Sequence, residues 1–212
     1  MPRPRFDKLP ADKRQRILEI AAVEFASRGF EHASLNRIIS AAGISKGAAY
    51  YYFDDKADLF ATVIGYGWDT LVPETDLDLA RLDADSFWPV LLQAYGEMLR
   101  KAHEQPWITT IGKLIYGPPP SKALGEIVAG QFARAHQWIG EVVLRGQALG
   151  VVRADVPGPL LLAMVAAAGE AADRWIIDHA DTLPPEEIGA VALSVFDMLK
   201  RLVAPAPEVA RP

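Results

Sequence analysis

The run Lys46-Gly47-Ala48-Ala49-Tyr50-Tyr51-Tyr52 joins one cation, several very small side chains and three phenol hydroxyls. That is the chemistry of contact with a polyanion. Small residues at the start of a helix let its backbone come close to a groove, and its unsatisfied N–H groups favour phosphate. Tyrosine adds a hydrogen-bonding tip on an apolar body. At roughly 100° per residue, three adjacent helical positions cannot all face inward, so at least one tyrosine must reach solvent or a partner. Ser34, Arg37, Ser45 and Lys56 flank this run. Arginine reads guanine well, which makes Arg37 the candidate for a base contact, although phosphate is the commoner partner. Lys46 and Lys56 read as phosphate contacts or as ordinary solvated lysines. Ser34 and Ser45 make sense as helix caps alone, with phosphate contact a further step. Tyr50 can bury its ring and still aim its hydroxyl outward, whereas Phe53 reads as core.

These residues need a scaffold, and Ser34–Phe53 supplies it: two short helices, Leu35–Ala42 and Lys46–Phe53, separated by a turn at Gly43. Ser34 and Ser45 stand at the cap positions, and Leu35, Ile38, Ile39 and Ala42 point inward. The arrangement is a helix-turn-helix, in which the second helix enters the major groove and the first crosses the backbone. Before it, Ile17, Leu18, Ala21, Ala22 and Phe25 recur at helical spacing in Ala11–Arg28. Pro10 suits the first turn and Gly29 the stop. Asp55 is placed to cap a fourth helix, with Asp58 favourable in its first turn, running to about Leu71.

The rest of the chain also reads as helix: Ser86–His103, Pro106–Tyr116, Ser121–Leu149 closed by Gly150, Leu160–His179, and a last helix opened by Leu183-Pro184-Pro185 and ending near Val203. Pro73–Asp85 is a polar, acidic connection. No strand-like alternation and no repeat is visible. The expected fold class is all-α. Residues 1–54 are expected to form a three-helix helix-turn-helix head, 55–204 a helical body, and 205–212 a Pro/Ala-rich disordered tail.

Composition narrows the function classes. The net charge of −5 hides a split: nine Lys/Arg against five Asp/Glu in residues 1–53, but thirteen against twenty-two beyond them. A basic head on an acidic body presents one face to phosphates. There is no cysteine, as a reducing compartment permits. No apolar stretch follows the N-terminal charges, and the longest apolar run, Leu160–Gly169, falls far short of the roughly 20 residues that span a bilayer. A cytoplasmic location is expected, with no membrane partner. Catalysis is not expected: there is no Gly-rich phosphate loop, no HExxH, and no metal-ligand spacing among His32, His103, His136 and His179. Glu170 and Asp173 share a helix face, but matching Glu-x-x-His elements are lacking. No cofactor is expected.

The stretch from Lys13 to Ile64 resembles the N-terminal domain of TetR-type (TetR/AcrR) transcriptional regulators. The matching features are Ile17, Ala21-Ala22, Phe25, Gly29-Phe30, Ile38, Ala42-Gly43-Ile44-Ser45, Gly47, Tyr50, Phe53, Lys56 and Leu59. The resemblance implies about nine helices in all, a homodimer built through the last two, and a ligand cavity inside the body. It implies a repressor that leaves a palindromic double-stranded operator when an unidentified small molecule binds. It puts Ser34, Arg37, Ser45, Lys46, Gly47, Ala48, Tyr50, Tyr51, Tyr52 and Lys56 where DNA contacts cluster. One position departs: Ala49 stands where a large apolar residue is usual, which suggests repacking by a neighbouring tyrosine.

The body carries the remaining expectations. Small residues in Leu160–His179, and Ile188, Val191, Ala192, Val195, Phe196 and Leu199 in the last helix, suit an intermolecular four-helix bundle; an intramolecular core is the plainer reading. By resemblance, Tyr95, Trp107, Phe132 and His136 lie on the helices that enclose a ligand. Two further readings stay open: a DNA-binding dimer controlled by a protein partner or by no ligand, and a helical-bundle metalloenzyme.

Overall fold

The computed structural model describes residues 4–71, 77–117 and 121–205, and among these residues it contains nine α-helices and no strand. They are α1 (Ala11–His32), α2 (Leu35–Ala42), α3 (Lys46–Tyr52), α4 (Lys56–Leu71), α5 (Phe87–Glu104), α6 (Pro106–Tyr116), α7 (Lys122–Ala148), α8 (Gly158–His179) and α9 (Pro185–Val203). A 3-10 turn covers Leu79–Arg81. The fold is all-α, as its helical periodicity requires. Residues 72–76 of the acidic connection and 206–212 of the tail lie outside the described residues. No helix among the described residues is long and apolar enough to cross a membrane.

The described chain falls into two compact units, one drawn from residues 1–73 and 104–131, the other from 74–103 and 132–212. The first is built around α1. Its apolar stripe, Ile17, Leu18, Ala21, Ala22 and Phe25, is almost wholly buried, against α2, α4 and α6. Each of the larger side chains contributes about 1.5–3 kcal/mol by leaving water. Phe25, Phe30 and Phe60 meet with centroids 5.2–5.9 Å apart. Gly29 breaks the helix with φ +71°, and one further turn follows it. This left-handed geometry is open to glycine without a Cβ penalty. α4 and α6 cross closely at Gly67, where a Cβ would stand 2.6 Å from the Ile111 side chain. Trp107 stacks on Tyr66 at 5.4 Å, and its Nε1 donates to Gln105 Oε1 at 3.1 Å.

One core residue of this unit lies ahead of α1 and has no periodic pattern to announce it. Phe6 is 1 % exposed, with its ring 4.8 Å from that of Phe53 and 6.0 Å from that of Tyr52. The segment carrying it is fastened by Leu9 N–H to the Phe6 carbonyl and by Arg14 Nη1 to the Asp7 carbonyl, both at 3.0 Å. Ala49 is buried, and half-buried Tyr52 closes this aromatic layer together with Phe6.

The second unit has its own core of Leu82, Phe87, Leu91, Val143, Val152, Leu161 and Val203, bordered by Trp88, Ile139 and Phe196. Arg145 ties the 3-10 turn down by donating to the carbonyls of Ala80 and Leu82. α8 and α9 pack on each other. They also carry large apolar side chains that this chain leaves exposed: Leu160, Met164 and Trp175 on α8, Leu193 and Met198 on α9.

Candidate nucleic-acid interface

Two serine caps set the local geometry. Ser34 Oγ accepts from Arg37 N–H at 3.4 Å, and Ser45 Oγ accepts from Ala48 N–H at 3.1 Å. Each cap satisfies an N–H that the first helical turn cannot pair internally. Between them Gly43 takes φ +66° and closes α2. Ala49 and Phe53 face the core, which fixes the roll of α3. Lys46, Gly47, Tyr50 and Tyr51 then share the outer face at i, i+3 and i+4 spacing. All four are exposed, as is Ser45, and each of the two tyrosines is 46 % exposed. Ala48 and Tyr52 are half-buried.

Gly47 carries information of its own. Glycine in a helix costs up to about 1 kcal/mol relative to alanine. Nothing among the described residues demands it: a Cβ there would meet only Ser45 Oγ, at 4.0 Å. A glycine without an internal reason leaves room for something approaching from outside.

Two expected contact residues are engaged inside the protein. The Lys56 ammonium donates to three backbone carbonyls, Phe30 at 2.6 Å, Glu31 at 3.0 Å and Ala33 at 3.2 Å. It also lies 4.5 Å from the centre of the Phe30 ring. An ammonium has three N–H donors, so all are used at the end of α1, where Lys56 forms a structural clasp. Arg37 Nε and Nη2 both donate to Glu24 Oε1, at 2.8 and 2.6 Å, and Nη2 donates to the His32 carbonyl at 2.8 Å. The same Glu24 oxygen accepts from Ser34 N–H at 2.9 Å, and Arg28 approaches its other oxygen at 3.6 Å. This array ties α2 to α1. The Arg37 bonds hold the Glu24 carboxyl below the usual glutamate range, with the Ser34 N–H assisting against the cost of burial. Ser34, half-buried, belongs to the same array.

Glu24 and Phe6 are the members of this site that the sequence conceals. Glu24 is followed directly by the core residue Phe25, and its partner is 13 residues away, beyond any local pairing rule.

The expected ligand residues divide between the units. Trp107 belongs to the first, where it lines an open cleft of about 850 Å³ bounded by α1, by Arg37, Ile38 and Ala41 of α2, and by residues 104–107. Tyr95, Phe132 and His136 belong to the second. There His136 Nε2 stands 2.8 Å from Glu170 Oε1, and the Phe132 and His136 rings are 6.5 Å apart. Tyr95 stacks on Phe196 at 5.7 Å. Burial, assisted by the Asp173 charge, pushes its hydroxyl up to about 12, so it is a neutral hydrogen-bonding group at every physiological pH.

Residues 17–63 match the family model of bacterial regulatory proteins, tetR family. The transcriptional regulator AcrR of Shigella flexneri is 42 % identical over 52 residues, 24 % of either chain. The repressor AcnR of Corynebacterium diphtheriae is 29 % identical over 157 residues, 68 % of this chain and 70 % of that one. For AcrR, then, the match spans about a quarter of the relative's length. Among solved structures, the regulator FadR from Bacillus subtilis in complex with stearoyl-CoA superposes with a TM-score of 0.74 at 13 % identity, covering 89 % of this chain and 98 % of that one. At that identity the likeness concerns the fold.

Proposed function

We propose, from the match of residues 17–63 to the tetR family of bacterial regulatory proteins and the likeness of part of the chain to curated regulators, that the chain is a homodimeric DNA-binding transcriptional regulator of the cytoplasm, a repressor released from a palindromic operator by a small molecule. The observation that carries this reading is the outer face of α3: Lys46, Gly47, Tyr50 and Tyr51 exposed together on a short helix fixed by Ser45, Ala49 and Phe53. Ser45, Ala48 and Tyr52 edge that face and complete the operator-facing set, with Ser34 and Arg37 bracing it from α2. Lys56 supports the head from inside.

Residues 1–54 serve as the reading head and 55–204 as the effector-binding and dimerisation body. The exposed apolar side chains of α8 and α9, with Met198 at 68 %, support a second copy of the same helices as their cover. A two-fold dimer offers two copies of α3 to successive major grooves, so the operator has matching half-sites. The effector reading is supported by FadR, which was solved with stearoyl-CoA, and by Tyr95, Phe132 and His136 in the second unit. It points to a mostly apolar ligand with one polar group for the His136–Glu170 pair. Such a ligand shifts the head only if it binds the two body shapes unequally.

The test is recovery of bound DNA genome-wide, followed by titration of the recovered duplex and sedimentation of the free protein. A shared two-fold sequence motif and a dimer are expected. Recovery without a common motif, or a monomer in both free and bound states, refutes the reading. A panel of apolar acids and acyl thioesters is expected to contain a compound that releases DNA and raises the melting temperature. Control by a protein partner would gain ground if none did either.

A further inference from the structure

Arg5 lies in the segment ahead of α1, one residue from Phe6, whose ring is buried against Phe53 and Tyr52. That anchor fixes where Arg5 can reach. Its Cζ stands 4.1 Å from the centre of the Tyr51 ring, and Tyr51 is on the exposed face of α3. Tyr51 and Tyr52 in turn meet edge to face at 5.9 Å. Arg5, Tyr51, Tyr52 and Phe6 therefore form one aromatic and cationic stack running from the core of the head to its outer surface. Among the described residues no carboxylate pairs with Arg5, and it is exposed. Arg37, by contrast, spends two of its nitrogens on Glu24.

We propose that Arg5 is a further operator contact, a guanidinium stationed over Tyr51 beside α3 that binds a DNA phosphate. The inference rests on the operator reading above. An exposed arginine ordinarily loses much side-chain freedom on binding. Here the Phe6 anchor and the Tyr51 ring have already restricted it, while the ring contact leaves the N–H donors available for the bidentate hydrogen bonding that guanidinium offers phosphate. The stack also explains why two adjacent tyrosines are useful: Tyr52 holds the anchor and Tyr51 holds the cation.

The test uses the full chain and the duplex recovered with it, with Kd measured by fluorescence anisotropy between about 50 and 200 mM salt, where phosphate contacts dominate the dependence. Arg5→Ala is expected to weaken binding by roughly tenfold at low salt, as loss of one charge-assisted bond requires. It should lower the salt slope by about one unit for each segment engaged. Arg5→Lys keeps the charge and is expected to keep the slope. Both variants should melt close to the wild type, since Phe6 is untouched. An unchanged Kd and slope in Arg5→Ala overturns the inference. So does a loss of affinity at unchanged slope that Arg5→Lys fails to recover, which would make Arg5 a packing residue of α3. If the wild type binds no specific duplex, the operator reading falls and this inference with it; in the other two outcomes the wild type still binds.

Discussion

Replacing Lys56 by methionine separates two roles that its position would allow. In the structure its ammonium closes the end of α1 through the carbonyls of Phe30, Glu31 and Ala33 and covers the Phe30 ring. A hydrogen bond from a charged donor contributes about 1.5–3 kcal/mol when fully sheltered. Lys56 is only half-buried, so water replaces part of each bond. The ring contact adds about 0.5–1 kcal/mol. Methionine keeps most of the aliphatic stem, so packing is largely conserved. The net loss comes to about 2–3 kcal/mol, which for a chain of this size lowers the melting temperature by roughly 5–10 °C. The assay pairs a thermal melt with anisotropy titrations over a salt series, run far enough below the transition for the head to stay folded. The expected result is a clear drop in melting temperature with the salt slope of DNA binding unchanged. The opposite pair, an unshifted melt and a slope lower by about one unit per head, would show that the lysine leaves its carbonyls for phosphate and would refute the clasp.

Other perturbations follow from the same geometry. Gly47→Ala should stabilise the free protein by up to about 1 kcal/mol, because a Cβ there meets nothing closer than 4.0 Å. It should nevertheless weaken operator binding, and an equal or tighter Kd would remove the argument that this glycine makes room for DNA. The Glu24 carboxyl is held below its ordinary range by Arg37, so its unfolded value is the higher one. Its stabilising effect is therefore complete above the ordinary glutamate value of about 4.3 and is lost as pH falls through the lowered folded value. Glu24→Gln should flatten that part of an acid-unfolding curve, and an unaltered curve would contradict the pairing. Phe6→Ala should cost about 3 kcal/mol, the low end for a buried phenylalanine, since the segment can detach instead of leaving a cavity. A melt within 1–2 °C of the wild type, on the scale where about 1 kcal/mol moves it by 2–4 °C, would show that the ring is dispensable.

The helices of this chain were legible because their signals are local. Apolar residues at 3.6-residue spacing marked the inner face of α1, and Pro106, Pro185, Ser34 and Ser45 marked starts that the structure reproduces. Gly29 marked a break that the structure keeps inside a longer α1. The two serine caps needed only residues three positions apart. The same locality fixed the outer face of α3, since once Ala49 and Phe53 are inward, helical geometry leaves Lys46, Gly47, Tyr50 and Tyr51 outward.

Partner choice among charged side chains is another matter. The sequence by itself determined that the run of small residues and tyrosines in α3 presents a surface with at least one outward tyrosine, and the burial of Ala49 and Phe53 decided that Tyr50 and Tyr51 belong to it. The sequence could not say which cations would serve that surface. Lys46 and Lys56 look alike in sequence, yet the second is drawn inward by carbonyls 23 to 26 residues earlier. Arg37 is drawn to Glu24 in the same way, and Arg5 reaches Tyr51 only because Phe6 is buried. A cation's partner is whatever oxygen or ring the fold brings within about 4 Å, where the Coulomb term is large enough to hold it. That proximity is a property of tertiary packing, so the tertiary structure alone decided which charges brace the head and which face outward.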